Sequence, residues 1–252
     1  MKSFGAHLLL VMTVLSMFST IDSPLLATPL GSLNLCESRL KYIHSGPAVP
    51  FSQLPTELQL LLISEHKENC TFSILSDRGT TGVPYLVEDP QGGTQLVYKY
   101  FLDEKSRVLV DPSRPPQVIK KMDEIAFDEM DDAIAAGIDL GFEVAKTYPT
   151  QNPRILKVEY SPWPSLATLL ESSAFSPKVR SELIRRYEVQ LNTFLKNFMP
   201  RVQIEVAHSS ITSPVKYDAI VRSRRGEFRV HLKPDNITVD LNTFKMKVID
   251  PN

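Results

Sequence analysis

The order of apolar patterns predicts an α+β fold. Two observations carry it: short alternating runs of strand length are interrupted by one helix-length run, and a later block of helices is followed by a second block of strands. Residues 71–75, 83–87 and 95–101 read as three strands, the last two separated by a turn at Gln91-Gly92-Gly93. Three consecutive short strands make an antiparallel sheet the economical arrangement. Residues 113–137 then have the grammar of a helix, with Pro115 and Pro116 at the start, a long run free of Gly and Pro, and Gly137 as stop. Two more strands are expected over 141–148 and 154–160, parted by Thr150-Gln151-Asn152-Pro153. The expected unit over 71–160 is a five-stranded antiparallel sheet with one helix after its third strand.

A proline-rich hinge, Ser161-Pro162-Trp163-Pro164, opens the second block, 161–252. Helices are expected over 165–171 and 177–198, and strands over 216–222, 227–232 and 244–249. Ahead of the sheet, 29–70 reads as an accessory extension with a helix over 56–66, leucines standing at 58, 60, 61 and 62.

With 252 residues and 42% hydrophobic content, the chain can bury one sizeable core or two small lobes sharing a cleft. The formal charge of -1, from 28 basic and 29 acidic residues, offers no bulk attraction for nucleic acid, and no nucleic-acid partner is expected. Any phosphate chemistry must come from a local site. Lys2 and His7 precede an apolar run over 8–18 that is too short to span a bilayer, the pattern of a signal peptide over 1–28. Pro24 spoils the best cleavage position at Ser23, and a membrane-associated or buried N-terminal helix is the alternative. The expected location is secreted, with no transmembrane span in the mature chain. Cys36 and Cys70 suit one disulfide or two buried thiols, and Asn69-Cys70-Thr71 and Asn236-Ile237-Thr238 are both glycosylation sequons.

Four stretches carry chemistry. Between the first two strands, Asp77-Arg78-Gly79-Thr80-Thr81-Gly82 offers two glycines where backbone amides could approach an anion. Lys99 sits inside the apolar strand Leu96-Val97-Tyr98-Lys99-Tyr100-Phe101, where an unpaired ammonium is costly, so it needs an acid or water. On the following helix, Val118, Met122, Ile125, Glu129 and Ala133 form one stripe, and Glu129 is the acid that interrupts it; Glu124 is the register alternative. Finally, Leu232-Lys233-Pro234-Asp235-Asn236 forms a turn ahead of two strand-like runs that end at Lys247-Val248-Ile249-Asp250. Asn236 and Asp250 are hard oxygen donors of the kind magnesium accepts.

Taken together, these stretches resemble the protein kinase-like superfamily over about 71–252. The resemblance implies a two-lobed fold: a five-stranded small lobe with one helix over 71–160, and a truncated, mainly helical large lobe over 161–252. It implies ATP as nucleotide, with Gly79, Gly82, Lys99 and Glu129 at its phosphates, and Mg or Mn held by Asn236 and Asp250. Lys233 and Asp250 would be catalytic, Lys233 neutralising the transferred phosphoryl group, and the partner would be a protein substrate or binding partner.

The resemblance departs from the family in two places. Arg229-Val230-His231 stands where His-Arg-Asp is usual, so His231 occupies the position of the catalytic base. Neutral, it could accept a proton from a hydroxyl; protonated, it could donate to a phosphate. Pro251 and Asn252 replace the usual Phe-Gly after Asp250, with no activation segment following in this sequence. Two functions are expected from this pattern: an atypical kinase, or a pseudokinase acting as a protein-binding module.

Overall fold

The computed structural model describes residues 46–75, 81–93, 95–102, 114–202, 205–213 and 215–251. The expected signal segment, Cys36 and Gly79 lie outside them. The central element is a five-stranded sheet of β1 (Thr71–Ile74), β2 (Gly82–Glu88), β3 (Leu96–Phe101), β5 (Thr147–Tyr148) and β6 (Ile155–Glu159). Its order is β1-β2-β3-β6-β5 and every pairing is antiparallel. The run expected as one strand over 141–148 is divided. Its first half, β4 (Glu143–Val144), leaves for another sheet, and only β5 joins this one.

Strand β3 is apolar at nearly every position because both of its faces are covered. Leu96, Tyr98 and Tyr100 point to one side, where they pack with Phe72, Tyr85, Val87 and Ile155 against Leu54, Leu58 and Leu62. The two latter leucines belong to α1 (Thr56–Ser64), the helix expected as an accessory. It is the lid of the sheet. Polar bonds hold it there: Tyr98 Oη donates to Glu65 at 2.5 Å, Lys157 reaches the same carboxylate at 2.8 Å, and Arg154 and Tyr100 both meet Glu57 at 3.1 Å. Burial by itself would raise the Glu65 carboxyl, but the bonds from Lys157 and Tyr98 hold it below its usual range.

On the other face, Phe101, Leu156 and Val158 pack against Ile119 and Phe127 of α2 (Pro116–Ala135). Pro116 stands at the start of this helix and Gly137 follows its end at φ 76, a conformation that spares a glycine the Cβ clash.

Residues 161–252 are not mainly helical. Among the described residues they hold two helices, α3 (Leu166–Glu171) and α4 (Pro177–Asn197), and five strands. Ser165 and Ser176 cap the helices through the amides of Thr168 and Val179. Strands β7 (Glu205–Ser213), β8 (Lys216–Ser223) and β9 (Gly226–Leu232) form an antiparallel sheet, with β7 lying ahead of the strands expected over 216–222 and 227–232. The β8–β9 turn lies on α2, where Gly226 is so close to Ile125 that an added Cβ would stand 3.1 Å from its Cδ1. Strands β10 (Ile237–Val239) and β11 (Met246–Val248) form a third sheet with β4, which pairs parallel to β11. None of the described helices is long and apolar enough to cross a membrane.

If α1 is integral, Leu58→Ala should cost about 2–5 kcal/mol in chemical denaturation, whereas Leu60→Ala, at a position 62% exposed, should stay within about 0.5 kcal/mol. Equal effects would return α1 to the status of an appendage.

Candidate functional site

Strand alternation sends Lys99 to the α2 side of the sheet, next to Phe101. Only 9% exposed, its ammonium lies 3.1 Å from Asp123 Oδ2 and 2.6 Å from Asp250 Oδ2. Burial alone would lower the pKa of this lysine, but the two carboxylates outweigh it and hold the group above its ordinary value, so the cation persists.

The partner expected on α2 was Glu129, with Glu124 as alternative. Neither meets Lys99. Glu129 faces Arg225 of the β8–β9 turn at 3.7 Å, and Glu124 pairs with Lys120 at 2.8 Å along the helix. The reason is that α2 has two apolar faces. Ile125 and Glu129 turn toward the β8–β9 hairpin, while Ile119, Asp123, Ala126, Phe127 and Met130 turn inward. Val118, placed in the buried stripe by sequence reasoning, is 41% exposed, whereas Asp123 is 0% exposed. The missed signal was present: Asp123 interrupts a second apolar stripe as plainly as Glu129 interrupts the first.

Asp250 reaches Lys99 because β11 is clamped from both sides. The Ala145 amide donates to Val248 O, and the Ile249 amide donates to Asn236 O, each at 2.9 Å. On the turn itself, the Lys233 amide and Asn236 Nδ2 both donate to the carbonyl of His231 at 3.0 Å, while the His231 amide donates to Pro251 O at 2.5 Å. The backbone of His231 thus joins the Pro234–Asn236 turn to the segment carrying Asp250. From behind, Tyr187 of α4 donates to Leu232 O at 2.8 Å.

The ring of His231 is a different matter. Its Nε2 is buried and has no hydrogen-bond partner among the described residues. Burial pushes its pKa down to about 4; the facing Asp218 opposes this, and Arg229, Lys233 and Lys216 add to it. Asp218 is itself committed to Arg229 at 2.6 and 2.8 Å. The ring is therefore neutral near pH 7.

Lys233 is half-buried at the entry to the turn. Gly82 is a strand residue opposite Phe101, where a Cβ would stand 2.8 Å from Tyr100 O, so close strand approach accounts for this glycine. For a divalent cation, no cluster of three or more His, Cys, Asp or Glu exists among the described residues. Magnesium needs less: one or two protein oxygens beside water and phosphate. Asn236, whose Nδ2 donates to His231 O, carries an amide oxygen, and Asp250, paired with Lys99, carries a carboxylate on the adjoining segment. This donor set fits the ion.

No protein-family model matches the chain, and neither does any curated protein. Among solved structures it is similar to a crystal structure of a kinase domain, at a TM-score of 0.30 and 13% identity. That match covers 72% of this chain and 50% of the other, so the chain spans about half the length of that domain. A likeness this distant carries no assignment, and function rests on the side chains of the site.

Two measurements probe the site. Asp123→Ala should cost about 3 kcal/mol, since it strands a buried cation with one partner, and Glu129→Ala no more than about 1 kcal/mol; the reverse order in denaturant midpoints would restore Glu129. The folded-state pKa of His231 lies below the unfolded value of about 6.5, so the unfolded chain takes up the proton first. Stability tied to this ring is full above pH 6.5, declines between pH 6.5 and 4, and is level below. His231→Gln should flatten that decline, and an unchanged slope in the variant would place the ring in water.

Proposed function

We propose that the chain is a kinase-like protein that binds ATP with Mg or Mn and transfers phosphate to a hydroxyl of a protein substrate. The observation that carries this reading is Lys99, a strand cation bridging a helix acid, Asp123, and an acid beyond the turn, Asp250. In the two-lobed arrangement implied by the resemblance, the cleft runs between the five-stranded sheet and the turn that holds Lys233 and Asn236. Lys99 would orient the phosphates, with Asp123 in the role expected of Glu129. Gly79 and Gly82 would border them, and Asn236 and Asp250 would hold the metal. When bound, the metal ion neutralises phosphate charge. Lys233 offsets charge on the transferred group, and the apolar run over 8–18 supports export.

A second reading, a pseudokinase that presents this cleft to a protein partner, is favoured by one observation. The ring at the usual base position is His231, whose Nε2 is shielded. Positioning and electrostatics supply most of phosphoryl transfer, so loss of the base slows the reaction without forbidding it.

The deciding experiment is the thermal melting shift with ATP and Mg²⁺ or Mn²⁺, wild type against Asp250→Ala, followed by transfer of labelled γ-phosphate to protein acceptors. A metal-dependent rise of several degrees, lost in the variant, is expected. Absence of any shift at millimolar ATP would end the nucleotide reading, and a shift without transfer would leave the pseudokinase.

A further inference from the structure

The two sequons stand in opposite environments, and the kinase-like reading uses neither as a modification site. We propose that Asn69 is the N-glycosylation acceptor of this chain and that the sequon at Asn236 is silent because the fold consumes its amide. The proposal rests on export of the chain and is independent of nucleotide binding.

The modification joins the Asn Nδ2 to C1 of an oligosaccharide. The bond from C1 to a lipid diphosphate breaks, the lipid diphosphate leaves, and the amide gives up one proton. The product keeps a single N–H and a bulky, hydrated substituent, which must lie in solvent once the chain has folded. Asn69 meets that condition. It sits in the connection between α1 and β1, at the third position of a turn closed by the Cys70 amide on Lys67 O at 3.1 Å. Glu68, Asn69 and Thr71 are all exposed, and the Asn69 amide makes no hydrogen bond among the described residues. Thr71, the hydroxyl residue of the sequon, opens β1 at the edge of the five-stranded sheet, so the sugar would extend past that edge.

Asn236 fails it on every count. Its residue is 4% exposed and its Nδ2 already donates to His231 O at 3.0 Å. The hydroxyl of its sequon is on Thr238, 3% exposed and 2.8 Å from Ser161 Oγ. A glycan there would leave the Asn236 amide one N–H instead of two and would have no way out of the core.

The test is to express the full chain in eukaryotic cells behind a secretion leader of the host, release glycans with peptide N-glycosidase in ¹⁸O water, and map the peptides by mass. Labelled conversion of Asn69 to Asp is expected, with one glycan-sized shift on gels that disappears in Asn69→Gln and in Thr71→Ala and survives in Thr238→Val. An unlabelled Asn69 peptide in secreted or endoplasmic-reticulum material would overturn the proposal, as would label at Asn236 in folded protein. The chain without the added leader should carry the same glycan; an unmodified chain there would overturn the export on which the proposal rests.

Discussion

The buried ammonium of Lys99 is the constraint on which the rest of the structure depends. A cation on a central strand, covered on both faces, is tolerated only where carboxylates meet it, because desolvation of an unpaired charge costs several kcal/mol. Here the two carboxylates come from distant parts of the chain, Asp123 on α2 and Asp250 beyond β11. The charge on one strand therefore dictates where a helix and a far segment must lie. Breaking either contact would leave a charge in the core.

The surrounding elements hold those acids in reach. The α2 helix is gripped on one side by the sheet, through Ile119 and Phe127, and on the other by the β8–β9 turn, through Gly226 against Ile125 and Arg225 against Glu129 and Asp132. Rotation of the helix would pull Asp123 from Lys99 and open both packings at once. Asp250 is held by backbone bonds, which are insensitive to side-chain identity, so its position follows from pairing of β11 with β4 and β10. The carbonyl of His231 gathers two donors from the turn, and its amide bonds Pro251, so the residue that departs most from the kinase pattern in its side chain serves the site through its main chain.

Much of this was legible in the residues. The strand-length apolar run Leu96-Val97-Tyr98-Lys99-Tyr100-Phe101, the proline start of α2 and the turn at Pro234 pointed to the five-stranded antiparallel sheet, the helix after its third strand, and the need of Lys99 for an acid. Local patterns report local structure faithfully because strand and helix periods are set by backbone geometry. Three things were not legible. The accessory helix proved to be half of a core, the run over 141–148 was shared between two sheets, and Glu129 proved to face a hairpin.

By itself, then, the sequence determined most of the strand and helix runs and that Lys99 must find an acid. Only the tertiary structure decided which acid on α2 answers Lys99. Asp123 and Glu129 each interrupt an apolar stripe, and a helix packed on two sides has no single buried face to read from its period. The same holds for His231, whose neutrality comes from surroundings that strand pairing brings together across β8 and β9.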